Sequence, residues 1–305
     1  MYKKLLALCL TFIALGTSSA LAEPSLRVAV SILPQKYFVK KIGGSYVSVT
    51  TVVPKGASPA TYEPKPAQMK DLVQCSLWFT IGVPFEASQK DKLLAALPKL
   101  KEIPTQAPVK LYPMAAHHHD GSQQHERHSH GPECDHDHGR RHHHGMDPHI
   151  WLAPTNVMLQ ARVIAMAMAD ADPLHRDVYM TNYIKFVGEL ADLDRYIDQE
   201  LRSLRGRAFM VFHPSWGYFA RAYGLRQVAV ELEGKEPKPV ELAALVEQAR
   251  DEDIVTIFIQ PQFSTAAATA LAQSLKGQVE VLDPLAEDWE LNLKKCAQVL
   301  KKGVR

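Results

Sequence analysis

"PLHRDVYMTNYIKFVGELADLDRYIDQELRSL", residues 173–204, is the stretch that decides the fold. Its apolar residues recur at spacings of three and four or their sums, which is the period of one face of an α-helix. They are Leu174, Val178, Phe186, Leu190, Leu193, Ile197, Leu201 and Leu204. The pattern predicts one helix of about 30 residues, roughly 45 Å long at 1.5 Å per residue. Such a helix can act as a rigid connection between two lobes, and we place it over residues 173–205.

Strand-like and helix-like segments alternate on both sides of this helix. Before it, strands are predicted at 26–32, 46–53 and 77–82, and "PVKLY" (108–112) is a candidate for a fourth. After it, strands are predicted in "AFMVFH", "LRQVAVEL", "VTIFIQ" and "QVEVLD". This alternation is typical of parallel sheets covered by helices. We therefore predict an α/β protein with an N-terminal lobe over residues 23–172 and a C-terminal lobe over 206–305.

The first 22 residues have the pattern of a secretory signal peptide. Two lysines precede an apolar run that ends in small residues, and "ALA" (20–22) matches an A-x-A cleavage site. The run is shorter than the ~20 residues that a membrane-spanning helix needs. We expect cleavage after Ala22 and export of the mature chain to the periplasm.

Charge and cysteine content exclude several classes of protein. A formal net charge of +2 gives no general attraction to nucleic acid or to membranes. The predicted mature chain keeps three cysteines, and Cys75 and Cys296 lie in apolar or helical contexts typical of buried thiols. Cys134 differs because it lies among histidines, where a thiolate is a good metal ligand.

Eleven of the fourteen histidines lie between His117 and His144. Residues 113–146 contain too little apolar surface to offset the entropy lost on ordering, so we expect a disordered loop. Its composition is typical of auxiliary metal binding. The candidate loop ligands are His117, His118, His119, His125, His128, His130, Cys134, His136, His138, His142, His143 and His144.

Three further metal-ligand candidates lie in the folded part of the chain. His213 and Asp283 each follow a predicted strand, and His149 lies in "DPHIW", where the chain leaves the His-rich loop. Ligands of open parallel sheets bind beyond the carboxyl ends of the strands. Two imidazoles and one carboxylate from two lobes therefore indicate a zinc-type site in the cleft between the lobes. Asp147 is a candidate acceptor that orients His149.

Common catalytic motifs are absent from the sequence. There is no G-x-S-x-G, no Walker-type phosphate loop and no G-x-G-x-x-G after the first strand. A zinc hydrolase stays open as an alternative, because three protein ligands with one open position also describe a catalytic site. Glu63 is its only candidate general base. A zinc storage or buffering protein without a transporter is a second alternative.

Six segments carry a resemblance that covers nearly all of the mature chain. They are "VVPKGASPATYEPKPAQMKDL", "DPHIWLAP", "FHPSWGYFARAYGL", "ELEGKEPKPVEL", "QPQFS" and "VLDPLAEDW". In this order they resemble the solute-binding proteins of metal ABC importers, the cluster A-I family, and within it the zinc-specific branch. The resemblance implies two (βα)4 lobes joined by one long helix. It also implies a monomer, not an enzyme, that captures Zn2+ and delivers it to a membrane permease driven by an ATPase.

The resemblance carries over to individual positions. His149 matches the His of the family's D-P-H-x-W motif, His213 the His of H-P-x-W-G-Y-F, and Asp283 the Asp of L-D-P-L. Manganese-type members have a carboxylate at the position of His213, so an imidazole there implies zinc.

One position departs from the family pattern. The family's first ligand is the His of P-H-x-Y-E-P, and this chain has Ala60 there, in "SPATYEP". A methyl group cannot coordinate a metal. Three alternatives are therefore open for the fourth coordination position: water, Glu63 or an imidazole of the loop. Loss of tight cleft binding, with the loop as the main site, is also open.

Overall fold

A computed structural model describes residues 25–114, 145–231, 235–263 and 266–304. The predicted signal peptide and the loop ligands from His117 to His144 lie outside the described residues, so the expectations for them stay predictions. Among the described residues, we find no helix that is both long and apolar enough to cross a bilayer.

The first sheet contains four parallel strands in the order β2-β1-β3-β4. The strands are β1 (Leu26–Val30), β2 (Val47–Thr51), β3 (Leu77–Thr80) and β4 (Lys101–Pro104), and the helices beside them are α1 (Leu33–Gly43), α2 (Pro66–Leu72) and α3 (Pro84–Ala96). The central strand β3 is buried along its whole length, as expected for a sheet covered on both faces.

The fourth strand was predicted in the wrong place. "PVKLY" is not a strand, and β4 is formed by "KEIP", which pairs with β3 from Leu77↔Lys101 to Thr80↔Pro104. An edge strand has one neighbour and is partly exposed, so it lacks the apolar run by which central strands are recognised. Pro104 at its end is compatible with an edge position.

The long connecting helix α5 (Arg176–Leu201) has 26 residues, which corresponds to about 39 Å. It follows α4 (Pro154–Ala171), and a short 3₁₀ turn lies at each of its ends. Phe186, Leu190, Leu193, Ile197 and Leu201 of the predicted stripe are buried. Leu174 is 86% exposed because it lies in the 3₁₀ turn Pro173–His175, before the α-helix begins.

The second sheet repeats the strand order of the first, as β6-β5-β7-β8, and all its pairs are parallel. Its strands are β5 (Ala208–Val211), β6 (Arg226–Ala229), β7 (Thr256–Ile259) and β8 (Gln278–Val281), and its helices are α6 (Gly217–Ala222), α7 (Pro239–Asp251), α8 (Ala266–Ser274) and α9 (Trp289–Gly303). The predicted α/β fold with two parallel-sheet lobes and one long connecting helix is confirmed. The exact residues at which each lobe begins and ends stay a prediction.

The two lobes also contact each other directly. Helix α5 packs against α1 of the first lobe and α9 of the second. The rings of Phe38 and Trp289 meet edge to face at 5.0 Å. The Trp151 indole donates to the carbonyl of Pro284 at 2.7 Å, and the Trp289 indole donates to the carbonyl of Trp151 at 2.9 Å. Opening the cleft widely would break these buried hydrogen bonds, so we expect small lobe motions.

The described residues contain two cysteines, and both are free and buried. Cys75 belongs to the first lobe and Cys296 lies on α9. Burial raises the pKa of both thiols, so each is held as a neutral thiol. The prediction of buried, unpaired thiols is confirmed.

Candidate metal centre

A cavity of about 70 Å3 lies between the two lobes. His149 and Trp151 line it from the first lobe, and His213 and Phe263 line it from the second. His213 follows β5 by two residues. In this sheet β5 lies between β6 and β7. The chain runs from β5 to β6 on one side and then crosses to β7 on the other side. Such a switch point leaves a crevice in which ligands of parallel α/β proteins bind.

His149 is held with one ring nitrogen fixed. Its Nδ1 lies 2.7 Å from Oδ1 of Asp147, and its backbone N–H donates to the same oxygen at 2.9 Å. A carboxylate accepts hydrogen bonds, so Nδ1 carries the proton and Nε2 keeps its lone pair. His149 is only 8% exposed, and this burial lowers its pKa despite the opposing effect of Asp147. The ring is therefore neutral, which is the form that binds metals.

His213 is held in the same way by a different carboxylate. Its Nδ1 lies 2.6 Å from Oε1 of Glu231, which is 5% exposed. The ring of Phe263 stacks on the imidazole with centroids 4.7 Å apart and planes at 21°. The side chain of Gln260 binds both the backbone N–H of His213, at 3.0 Å, and its carbonyl, at 2.8 Å. The orientation of the His213 ring is therefore fixed by Glu231 at its edge, by Phe263 on its face and by Gln260 at the backbone of the residue.

The two imidazoles face each other across the cavity. Their ring centroids are 5.2 Å apart and the planes are inclined at 72°. Zn–N bonds of about 2.0 to 2.1 Å are compatible with one cation between two rings at this separation. In many zinc sites, each ligand His donates its other ring N–H to a carboxylate, which fixes the tautomer and raises the basicity of the ligand. Both histidines have this arrangement, and both Nε2 atoms are left for a metal.

The third candidate, Asp283, contacts two residues that line this cavity. Its Oδ1 accepts hydrogen bonds from the backbone N–H of Leu285, at 2.9 Å, and from Nε2 of Gln262, at 3.0 Å. Gln262, Pro284 and Leu285 line the cavity, whereas Asp283 does not. In the part of the chain that the structure describes, no three His, Cys, Asp or Glu side chains group closely enough to hold a metal ion. The structure brings the two imidazoles together, and the third ligand stays a prediction.

Comparison with known proteins gives the family of the chain. The family model for the periplasmic component A of the zinc-uptake complex, ZnuA, matches residues 28–303. The chain belongs to this family. A crystal structure of ZnuA superposes with a TM-score of 0.80 at 38% sequence identity, covering 92% of this chain and 99% of that one.

Two curated relatives are more distant. The high-affinity zinc uptake system protein ZnuA of Yersinia pestis is 27% identical over 287 residues, which cover 89% of this chain and 88% of the relative. The zinc-binding lipoprotein AdcA of Streptococcus pneumoniae (strain R6) is 27% identical over 286 residues. That match covers 92% of this chain but only 54% of AdcA, so the chain spans about half the length of this relative.

The residue that departs from the family pattern lies at the same cavity. Ala60 lines it together with His149 and His213. Glu63 is exposed and is not among the lining residues. A side chain at position 60 therefore faces the site, and the described geometry gives Glu63 no part in it.

The His-rich segment leaves and re-enters the fold beside this cavity. Pro113 and Met146 form an isolated antiparallel bridge, and the Met114 N–H donates to the carbonyl of Gly145 at 3.1 Å. Met114 itself lines the cavity. Both ends of the segment are therefore anchored at the edge of the candidate metal centre.

Sequence reasoning identified Asp147 but missed Glu231, Gln260 and Phe263. Glu231 follows β6, next to the strand that carries His213, so its position after a strand was a usable signal. Gln260 directly follows β7 and Phe263 lies three residues later, and nothing in their local sequence marks a contact with an imidazole. Only the pairing of β5 with β6 and β7 shows that the loops after these three strands meet.

Replacing Glu231 by glutamine is expected to weaken zinc binding by about 10- to 100-fold, the range found for carboxylates behind ligand histidines. The amide keeps the shape of the side chain but removes the charge that makes the imidazole more basic. Chelator competition measures the affinity, and the Glu236→Gln variant, which removes an exposed charge five residues away, is the matched control. Equal affinities of the two variants would show that Glu231 does not support a ligand.

Proposed function

We propose that this chain is an exported zinc-binding protein that captures Zn2+ in the cleft between its lobes and delivers it to the permease of an ABC importer. The observation that carries this proposal is the pair of facing imidazoles, one from each lobe. Each ring has its Nδ1 bound to a buried carboxylate, at 2.7 Å for His149 and 2.6 Å for His213. Membership of a zinc-uptake family supports the same cation.

The proposed ligands are Nε2 of His149, Nε2 of His213 and the carboxylate of Asp283. Imidazoles suit zinc better than the harder manganese and magnesium ions, which prefer oxygen ligands. Asp283 is partly exposed, and Oδ1 of its carboxylate accepts hydrogen bonds from Gln262 and from Leu285. We propose that it turns toward the two rings when the cation enters, which needs movement of one side chain and not of a lobe.

We propose that the chain has no enzymatic activity. A zinc hydrolase needs a general base within hydrogen-bond reach of the metal-bound water. Glu63, the candidate for this role, is exposed and outside the cavity lining. Asp147 and Glu231 are already bound to the two ligand rings.

We further propose that the His-rich segment holds additional zinc ions near the cleft and raises their local concentration there. Its two ends meet beside the cavity, at the Pro113–Met146 bridge. Residues 1–22 are proposed to direct export to the periplasm, with cleavage after Ala22, and the mature chain is proposed to act as a monomer. A mature N-terminus at Glu23 would be the check on cleavage.

Uptake of radioactive zinc tests delivery. In the source organism with the gene deleted, the initial rate of zinc entry into the cytoplasm is expected to fall in zinc-poor medium. The wild-type chain restores that rate and the His213→Ala variant does not. A protein that only stores zinc outside the cytoplasm would leave the entry rate unchanged in the deletion strain, and that result would contradict delivery.

The same assay has a second arm for the His-rich segment. Replacing residues 115–144 by Asn-Gly leaves a two-residue hairpin loop between Met114 and Gly145, whose backbones are hydrogen-bonded, so the flanking bridge can be kept. We expect slower uptake at the lowest zinc concentrations and wild-type uptake when zinc is plentiful. Equal uptake at all concentrations would remove the auxiliary role and leave the cleft unaffected.

A further inference from the structure

Gly217 begins α6 of the second lobe, shortly after His213, and lies against the carboxylate of Asp147 in the first lobe. A β-carbon on Gly217 would lie 2.7 Å from Oδ2 of Asp147, closer than the two atoms can approach without one of them moving. The φ angle of Gly217 is not in the left-handed region, so alanine can adopt the same backbone. Glycine is therefore needed here to leave space for the carboxylate, and not for backbone freedom.

The Asp147 carboxylate cannot move aside without disturbing His149. Its other oxygen, Oδ1, accepts the backbone N–H of His149 at 2.9 Å and the ring Nδ1–H at 2.7 Å. The two oxygens belong to one rigid planar group, so moving Oδ2 away from a new methyl group carries Oδ1 away from the imidazole. His149 would then lose the hydrogen bond that fixes its tautomer and its ring orientation.

Tyr218, the next residue of α6, holds the backbone of Asp147. Its hydroxyl donates to the carbonyl of Asp147 and accepts the backbone N–H of Tyr112, both at 3.1 Å. The Asp147 N–H donates in turn to the carbonyl of Tyr112 at 2.8 Å. The second lobe therefore fixes Asp147 at its side chain, through Gly217, and at its backbone, through Tyr218.

These contacts connect the two candidate imidazole ligands through one short stretch of chain. Residues 213–218 carry His213 at their start, and their end holds the carboxylate that orients His149. The two rings belong to different lobes, so a zinc site requires that their separation, 5.2 Å between centroids, be fixed across the cleft. Contacts of α6 with Asp147 fix this separation locally, close to both rings.

We propose that Gly217 is a positioning residue for zinc: because it lacks a β-carbon, α6 can hold Asp147, and through it His149, where both imidazoles reach one cation. Gly217 does not line the cavity that contains the two rings, so it acts through Asp147. This inference rests on the proposed function, because it requires zinc between His149 and His213.

A double-mutant cycle on the mature chain tests the inference. The four proteins are wild type, Gly217→Ala, Asp147→Ala and the double variant, and chelator competition measures the affinity of the tightest Zn2+ site in each. Each single substitution is expected to weaken that site by about 10- to 100-fold, the range for losing the partner of a ligand histidine. The double variant should match Asp147→Ala within about twofold, because the oxygen that collides with the new methyl group is absent.

Three outcomes overturn the inference. If Gly217→Ala binds zinc as tightly as wild type, Asp147 accommodates the methyl group without moving His149. If the two losses multiply in the double variant, Gly217 acts by a route other than Asp147. If Gly217→Ala does not fold, recovered folding in the double variant supports the collision with Asp147, and continued failure contradicts it.

Gly188→Ala is the matched control. Gly188 is exposed on α5, and a β-carbon there meets no other described residue within 4 Å, so zinc affinity should be unchanged. Both substitutions add one methyl group to a helical glycine, so a general effect of helix propensity would appear in both. If Asp147→Ala and His213→Ala both keep the tightest site, zinc does not bind in the cleft and the proposed function itself fails.

Nitrogen NMR shifts of isotope-labelled histidine give a second readout that needs no zinc. In the wild type, His149 should be a single tautomer with the proton on Nδ1, because Asp147 accepts it. In Gly217→Ala this preference should weaken for His149. It should persist for His213, whose Nδ1 is bound to Glu231. An unchanged tautomer of His149 in Gly217→Ala would contradict the proposal.

Discussion

Replacing His213 by alanine is expected to remove the tightest zinc site of the protein, with a loss of affinity greater than about 100-fold. The carboxylates behind ligand histidines contribute about 10- to 100-fold, and loss of a ligand itself must exceed that range. The substitution removes one of two facing imidazoles and leaves Glu231 buried without its partner. Weak binding by the His-rich segment is expected to persist, so a titration should lose its tightest component and keep the weaker one.

The matched control for this variant is His175→Ala. His175 lies outside the cavity, bound to Asp172 at 2.8 Å and stacked on Tyr46 with ring centroids 4.2 Å apart. Its removal should leave the affinity of the tightest site unchanged. Tryptophan fluorescence is a suitable local signal, because Trp151 lines the cavity and lies 5.2 Å from His149 between ring centroids. If His213→Ala keeps the tight site, the cleft does not hold the zinc.

Replacing Ala60 by histidine is expected to strengthen zinc binding, on the order of 10- to 100-fold. Position 60 lines the cavity that contains both imidazoles, so a new ring there can reach the cation. It would replace a water by a protein ligand and change an open site into a closed tetrahedral one, the geometry typical of tightly held zinc. The change should also slow zinc release, because the cation then has no exchangeable ligand.

The control for the gain is Glu63→His, which adds an imidazole three residues away on an exposed side chain that does not line the cavity. It should leave the tightest site unchanged. Chelator competition gives the affinities, and the rate of zinc transfer to excess chelator gives the release rate. No gain for Ala60→His over Glu63→His would mean that position 60 does not face the bound cation.

Central strands and the long helix could be predicted because the pattern of apolar residues within each segment shows which of its positions are buried. β3 and β7 are buried on all positions and therefore appear as short apolar runs. The helix stripe from Phe186 to Leu201 was recognised for the same reason. Edge elements were less certain, because β4 is half exposed and Leu174 belongs to a turn that only the three-dimensional structure separates from the helix.

The candidate site could be predicted in part. The position of His213 after a predicted strand indicated that it lies at the cleft. The short spacing between Asp147 and His149 indicated that the two residues are in contact. The partners of His213 arise from loops that meet only after the second sheet forms. Glu231 follows β6 and Phe263 follows β7, on the two sides of β5. Such contacts between distant segments have no periodic signal in the sequence.

A crystal structure of the zinc-loaded protein, with anomalous diffraction recorded at the zinc absorption edge, tests the central claim most directly. The account predicts a zinc peak in the cleft, with Nε2 of His149, Nε2 of His213 and a carboxylate oxygen of Asp283 at about 2.0 to 2.2 Å, and a water near Ala60. A zinc peak bound only by residues of the 115–144 segment, with none between His149 and His213, would contradict it.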